Sequence, residues 1–198
     1  MADCFAEDVG AEDAAMPAEV GRWLRTVLAE VQLATSAVAA GDVARFDEAL
    51  LRARRVYVAG QGRSGLVARA FAQRLMHIGF ESYAVGDIIS PAVGAADVFI
   101  AVTASGRTET TVSQAANAKA AGATIVTLTE MESGDLVDLS ELRLLVPTRP
   151  PRGPESEQHA TTLFCQTVQI LFDVVCAMLQ QQLHQTDAEL SARHSNLE

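Results

Sequence analysis

Two short stretches concentrate the residues able to do chemistry. The first, Gly60-Gln61-Gly62-Arg63-Ser64-Gly65, spaces its glycines as Gly-x-Gly-x-x-Gly. The second, Thr103-Ala104-Ser105-Gly106-Arg107-Thr108, sets three hydroxyls and an arginine around one glycine, with Thr110 and Thr111 just beyond. Backbone N–H groups at a helix start and nearby hydroxyls hold a phosphate by direct hydrogen bonds, so such a cradle works without net positive charge. A dinucleotide reading of the glycine spacing needs an acidic residue about 20 positions on, ending the next strand, to meet a ribose. Glu81 lies at that distance but starts the strand instead. The plain alternative is a tight turn without a ligand, and one or two of the hydroxyls are ordinary N-caps in any helix. Two such turns side by side favour a phosphate cradle.

The elements that must position these turns follow from periodicity. Short apolar runs at 56–59, 82–85, 98–102, 124–128 and 142–146 read as five strands, each flanked by turn residues or by an amphipathic helical segment. Both stretches fall directly after a strand and before a helix, the second of those helices covering 109–121 and ending at Gly122. Strands that alternate with helices predict an α/β fold with a five-stranded parallel sheet covered on both faces, a flavodoxin-like three-layer sandwich. Ligands in such sheets bind at the carboxyl ends of the strands, where both stretches lie. Ahead of the sheet, Val20, Leu24, Leu28, Val31 and Leu33 recur near helical spacing behind Pro17, and Gly41-Asp42 reads as a stop and N-cap before a second helix to about Arg54. Behind it, the proline-rich run 147–154 breaks the chain, a long helix is expected from Gln158 to about Leu183, and a short one from Asp187 to about His194. The expected organisation is one domain over 1–198: a flexible acidic start over 1–16, opening helices over 17–54, a sheet core over 55–147 and closing helices over 158–194.

Composition excludes several classes. The 198 residues are 49% hydrophobic and 20% charged, enough for one sizeable core. A net charge of -10 argues against a nucleic-acid partner. No uninterrupted apolar run approaches the roughly 18–20 residues of a membrane span, and Asp3, Glu7 and Asp8 replace the basic start of a secretory signal. Cys4, Cys165 and Cys176 are too widely spaced for a zinc site or a disulfide frame, so the expected compartment is the cytosol.

The pairing of the two stretches, each between a strand and a helix, resembles SIS sugar-phosphate isomerase domains. Further segments resemble the 6-phospho-3-hexuloisomerases in particular: Leu66-Val67 after the first glycine turn, Arg74-Leu75-Met76-His77-Ile78-Gly79-Phe80, Pro91, Leu163-Phe164, and the terminus Arg193-His194-Ser195-Asn196-Leu197-Glu198. The resemblance covers about residues 20–198 and implies conversion of D-arabino-3-hexulose 6-phosphate to fructose 6-phosphate through an enediol, with no metal or organic cofactor. It places Gly62, Arg63, Ser64, Thr103, Ser105, Arg107 and Thr108 at the phosphate, with Arg107 either a further phosphate contact or a solvent-facing cation.

His194 is the implied general acid/base, acting in its own or a neighbouring subunit of a homodimer or homotetramer; its bland alternative is a surface histidine on a tail. His77, one residue from a helix end, reads as structural, since an imidazole there suits the macrodipole. His184 reads as a surface residue. The chain departs from the family at Phe164-Cys165, where the family has Phe-Glu and that glutamate is the presumed base. Glu155, Glu157 or His159 are then the substitutes, or the reaction differs. Thr103-Ala104 stands for the usual Ser-Gly and keeps one hydroxyl. An isomerase for arabinose or sedoheptulose phosphate and a non-catalytic sugar-phosphate binder remain as alternatives, although no basic recognition helix is present.

Overall fold

In the computed structural model, which describes residues 17–197, the chain runs α1 (Ala18–Ser36), α2 (Ala40–Arg52), β1 (Val56–Gly60), α3 (Gly62–Ile78), β2 (Ser82–Ala84), β3 (Val98–Val102), α4 (Glu109–Ala120), β4 (Thr124–Thr129), α5 (Asp135–Leu139), β5 (Leu142–Leu145), α6 (Thr162–Gln182) and α7 (Asp187–Ala192). The expected flexible segment 1–16 lies outside the described residues, as does Cys4. The five strands are all parallel in the order β2-β1-β3-β4-β5. This is the flavodoxin-like order, in which the chain reverses direction across the sheet between β1 and β3. That reversal leaves a crevice beyond the carboxyl ends of these two strands, where Gly60 pairs with Val102.

Alternation along each strand sets the layers. Val56 and Val58 of β1, with Val98, Ile100 and Val102 of β3, face α2, α3 and α6, whose Phe46, Phe71 and Phe172 fill the larger core. The Phe71 and Phe172 rings stack at 3.9 Å. Tyr57, Ala59, Phe99 and Ala101 point the other way, onto α4 and α5. Small alanines (Ala115, Ala118) let α4 approach that face closely.

Several sequence expectations need correcting. By length and composition α6 would pass for a membrane span, although Gln166, Gln169 and Asp173 interrupt its apolar runs as the sequence reading holds. In the fold its stripe of Leu163, Phe164, Val168, Phe172, Val175 and Leu179 is buried against α1, α2 and α3. Gly41 does not stop a helix; it sits in the first turn of α2, where a backbone N–H has no intrahelical partner to lose, and the break falls earlier, at 37–39. The apolar residues of α1 face largely outward: Val31 is buried, while Leu28 and Leu33 are 66% and 60% exposed. The short α5 was not anticipated, since five residues carry no readable period.

The long helix begins at Thr162 rather than Gln158 because Glu30 holds the preceding segment. This buried carboxylate of α1 accepts bonds from Ser156 Oγ (2.7 Å), Glu157 N (2.7 Å) and Gln158 Nε2 (2.8 Å). Burial alone would raise the Glu30 pKa, but those three donors outweigh it and hold the group below its ordinary range.

The opposite end of the sheet is tied by Asp97, whose fully buried carboxylate accepts bonds from Arg55 (2.8 and 3.2 Å), Arg54 (3.2 and 3.3 Å) and Gly94 N (2.8 Å). Burial pushes its pKa up, yet the arginine and amide donors hold it below the ordinary 3.8. A lowered folded-state pKa means the stabilisation is complete above pH 3.8 and is lost as pH falls through the lowered value. We expect Asp97→Asn to cost about 3 kcal/mol in urea denaturation at pH 7, because two arginines lose a buried partner. The variant should also lose part of the wild-type decline in stability below pH 4; an unchanged acid profile would mean the cluster carries no linkage.

Candidate functional site

Gly60 ends β1 and Gln61 is the N-cap of α3, so the Gly-rich turn directs the first amides of α3 into the crevice. Gly62 adopts φ 56°, a conformation open to glycine at little cost. Gly65 is required for another reason: a Cβ there would lie 2.6 Å from the Gly60 carbonyl oxygen. Ser64, in the first turn of α3, is buried. The Arg63 guanidinium donates from Nη1 to Thr162 Oγ1 at 2.6 Å, so it reaches the start of α6.

Across the β1/β3 boundary, Thr103 is buried, and its Oγ1 lies 3.1 Å from Thr108 Oγ1. Gly106 at φ 63° closes the turn between them, and Arg107 N donates to Ser105 Oγ at 3.3 Å. Ser105 and the Arg107 side chain stay exposed. Thr108 is the N-cap residue of α4, yet its side chain caps nothing, which leaves its hydroxyl to Thr103 and to the crevice. Thr111, by contrast, is fully buried under α4 and belongs to the core rather than to the turn, while Thr110 is exposed on the helix. The expected phosphate-binding residues thus divide: Gly62, Ser64, Thr103, Ser105 and Thr108 gather at the two adjacent strand ends, Arg107 borders them, and Arg63 is engaged with Thr162.

A cavity of about 360 Å³ continues from this turn along the ends of β4 and β5, walled by Ser105, Arg107, Glu130, Thr148, Arg149 and Arg152. A second, of about 380 Å³, lies on the β1/β2 side against Gly60, Gln61, Gly62, Gly65 and Gln114. Glu81 is remote from both, because its carbonyl accepts the Val56 amide at the start of β1. It therefore stands at the opposite end of the sheet from the Gly-rich turn.

The expected acid/base residues scatter. Glu155 lines a smaller cavity of about 140 Å³ together with Glu130. Glu157 turns away to pair with Arg22 at 3.1 Å. His159 is exposed, and its carbonyl accepts the Thr162 hydroxyl. Cys165 is buried one turn into α6, out of reach of solvent, and burial pushes the Cys176 thiol up to about 12.

His194 lies at the other end of α3. Its ring stacks on His77 at 5.1 Å between centroids, and Arg193 Nη1 donates to the His77 carbonyl at 3.0 Å. The 17 residues of α3 span about 25 Å. Within one chain the imidazole is therefore held far from the turn that opens α3.

Glu130 was missed at the sequence level. It follows β4 directly, and its side chain is only 8% exposed. An acid that ends an apolar strand reads as a solvated loop residue; only the strand order places it beside Ala104.

Comparison with known proteins agrees with this architecture. The SIS domain family model matches residues 49–170. The chain is 37% identical to a 3-hexulose-6-phosphate isomerase of Mycobacterium gastri over 79% of its own length and 80% of the relative's. A Bacillus subtilis 3-hexulose-6-phosphate isomerase is 27% identical over 89% and 97% of the two chains. The crystal structure of a hypothetical Methanococcus jannaschii protein, for which a 3-hexulose-6-phosphate isomerase function was inferred, superposes with a TM-score of 0.80 at 28% identity, covering 89% of this chain and 99% of that one. The chain belongs to the SIS domain family, and its relatives there include 3-hexulose-6-phosphate isomerases.

Proposed function

We propose that the protein isomerises a phosphorylated ketose, converting D-arabino-3-hexulose 6-phosphate to fructose 6-phosphate. The observation that carries this reading is the Thr103–Thr108 hydroxyl pair, 3.1 Å apart just beyond the end of β3, the strand paired with the β1 that leads into α3 and buried Ser64. Amides at both helix starts and the hydroxyls of Ser64, Thr103, Ser105 and Thr108 supply the donors a phosphate dianion needs, and the helix dipoles favour its charge. Arg107 adds a cation at the rim. The sugar then extends into the cavity lined by Ser105 and Glu130.

The isomerisation needs a base for a carbon-bound proton and a donor for the oxygens of the enediol. Of the three substitutes offered by the sequence, Glu155 is the one on a cavity wall. His194 is the acid/base of a neighbouring subunit in this reading, supported by its exposed ring about 25 Å from its own cradle. A homodimer or homotetramer is supported by the outward apolar face of α1, with Leu24, Leu28 and Leu33, and by Ile170 and Val174 of α6. Two buried free thiols, Cys165 and Cys176, fit a reducing cytosol.

The purified protein is expected to turn over D-arabino-3-hexulose 6-phosphate, followed by coupled detection of fructose 6-phosphate. Tight binding of that sugar without turnover, unchanged in Cys165→Glu, would assign a binding protein instead. Turnover that appears only in Cys165→Glu would show a conserved pocket that has left this chemistry.

A further inference from the structure

We propose that Glu130 is the carboxylate that moves the proton between the two carbons of the substrate, an assignment resting on the phosphoketose isomerase reading above. Its position is built by the sheet. Glu130 N donates to the Ala104 carbonyl at 3.1 Å, and Thr129 Oγ1 donates to the same oxygen at 3.1 Å. The residue is thereby stitched to the hydroxyl turn that begins at Thr103. Its side chain shares the wall of the 360 Å³ cavity with Ser105 and Arg107, and also faces the small cavity beside Glu155.

The carboxylate is held from both sides. Thr148 Oγ1 donates to Oε1, and Arg149 Nε lies 2.8 Å from Oε2. Two donors fix the plane of the group, yet a carboxylate has about four lone-pair positions, so each oxygen keeps one for a substrate. Stability alone accounts poorly for this acid. Arg149 is largely exposed, and pairs with an exposed partner contribute little, whereas burying a carboxylate at 8% exposure is costly. Neighbouring acids are less well placed: Glu132 is exposed and paired to Arg152, Glu155 is exposed, and Glu157 is paired to Arg22.

The step balances without a further reactant. The Glu130 carboxylate takes the proton on C2 of the 3-ketose, the C2–H electron pair becomes the C2=C3 bond, and the carbonyl oxygen on C3 takes up a proton from the acid. The resulting carboxylic acid returns the proton to C3, while the C2 hydroxyl gives its proton to the His194 imidazole that had protonated the C3 oxygen, and C2=O forms. One hydrogen has moved between carbons and one between oxygens.

The test compares wild type with Glu130→Gln and Glu130→Asp by steady-state turnover and by deuterium wash-in from D₂O at C2 and C3. Glu130→Gln is expected to lose about 10³-fold in kcat, with KM and inhibition by inorganic phosphate within about threefold, and to abolish wash-in; Glu130→Asp recovers part of both. Wash-in that persists in Glu130→Gln, or a loss confined to KM, overturns the assignment while leaving the isomerase reading intact. Wild type that neither turns over nor exchanges deuterium on the phosphoketose sinks both.

Discussion

Gly65→Ala is expected to unfold the β1–α3 junction. Alanine is the better helix former, by roughly 1 kcal/mol in a helix interior, so propensity alone favours the change. Geometry opposes it, because the new Cβ would stand 2.6 Å from the Gly60 oxygen and 3.1 Å from its carbon. Both are backbone atoms of a strand paired along its length with β3, and neither can swing aside as a side-chain end does. Overpacking of this kind costs about 3 kcal/mol or more, which in a chain of this size lowers Tm by about 10 °C. Phosphate binding should fall with it, since the α3 amides move. Gly62→Ala is the contrast: at φ 56° it meets nothing within 4 Å, so only backbone strain of about 1 kcal/mol is expected. Equal melting of the two variants by calorimetry would show that the close approach of Gly65 to Gly60 does not constrain the fold.

His194→Gln is expected to lower kcat by about 10²-fold or more while leaving KM nearly unchanged. The decisive form of this experiment mixes chains. His194 is anchored by Arg193 and stacked on His77 at the far end of α3 from the Gly-rich turn, so in the proposed reading a site in one subunit takes its imidazole from another. Ser105→Ala chains, with a damaged cradle, and His194→Gln chains are each expected to be poorly active alone. Refolded together, they should recover roughly a quarter of wild-type turnover, since half of randomly paired dimers are mixed and each holds one intact site. No recovery on mixing would return His194 to the role of a tail anchor.

Much of this frame was legible because it is local. Val56–Gly60 and Val98–Val102 read as strands from continuous apolar runs, and the glycine and hydroxyl turns sat where each strand met a helix. Such features depend on backbone sterics and on neighbours a few residues away. The periodicity of α1 announced an amphipathic helix, but it did not say which side would meet the chain's own core. The buried face proved to be that of Glu30, Val31 and Ala34, and most of the leucines were left outside. Residues 158–161 carry helical composition, yet Glu30 from α1 claims the preceding polar groups and delays α6 to Thr162.

From the sequence by itself came most element types, the α/β class and the two turns proposed to hold phosphate, since propensity, period and glycine spacing act over short distances. The tertiary structure alone decided the strand order that sets β1 beside β3, the seclusion of Glu130 behind Thr148 and Arg149, and the separation of His194 from its own cradle. Those three depend on which distant segments pack together. Burial and hydrogen-bond satisfaction over the whole core select that packing, and no window of neighbouring residues contains it.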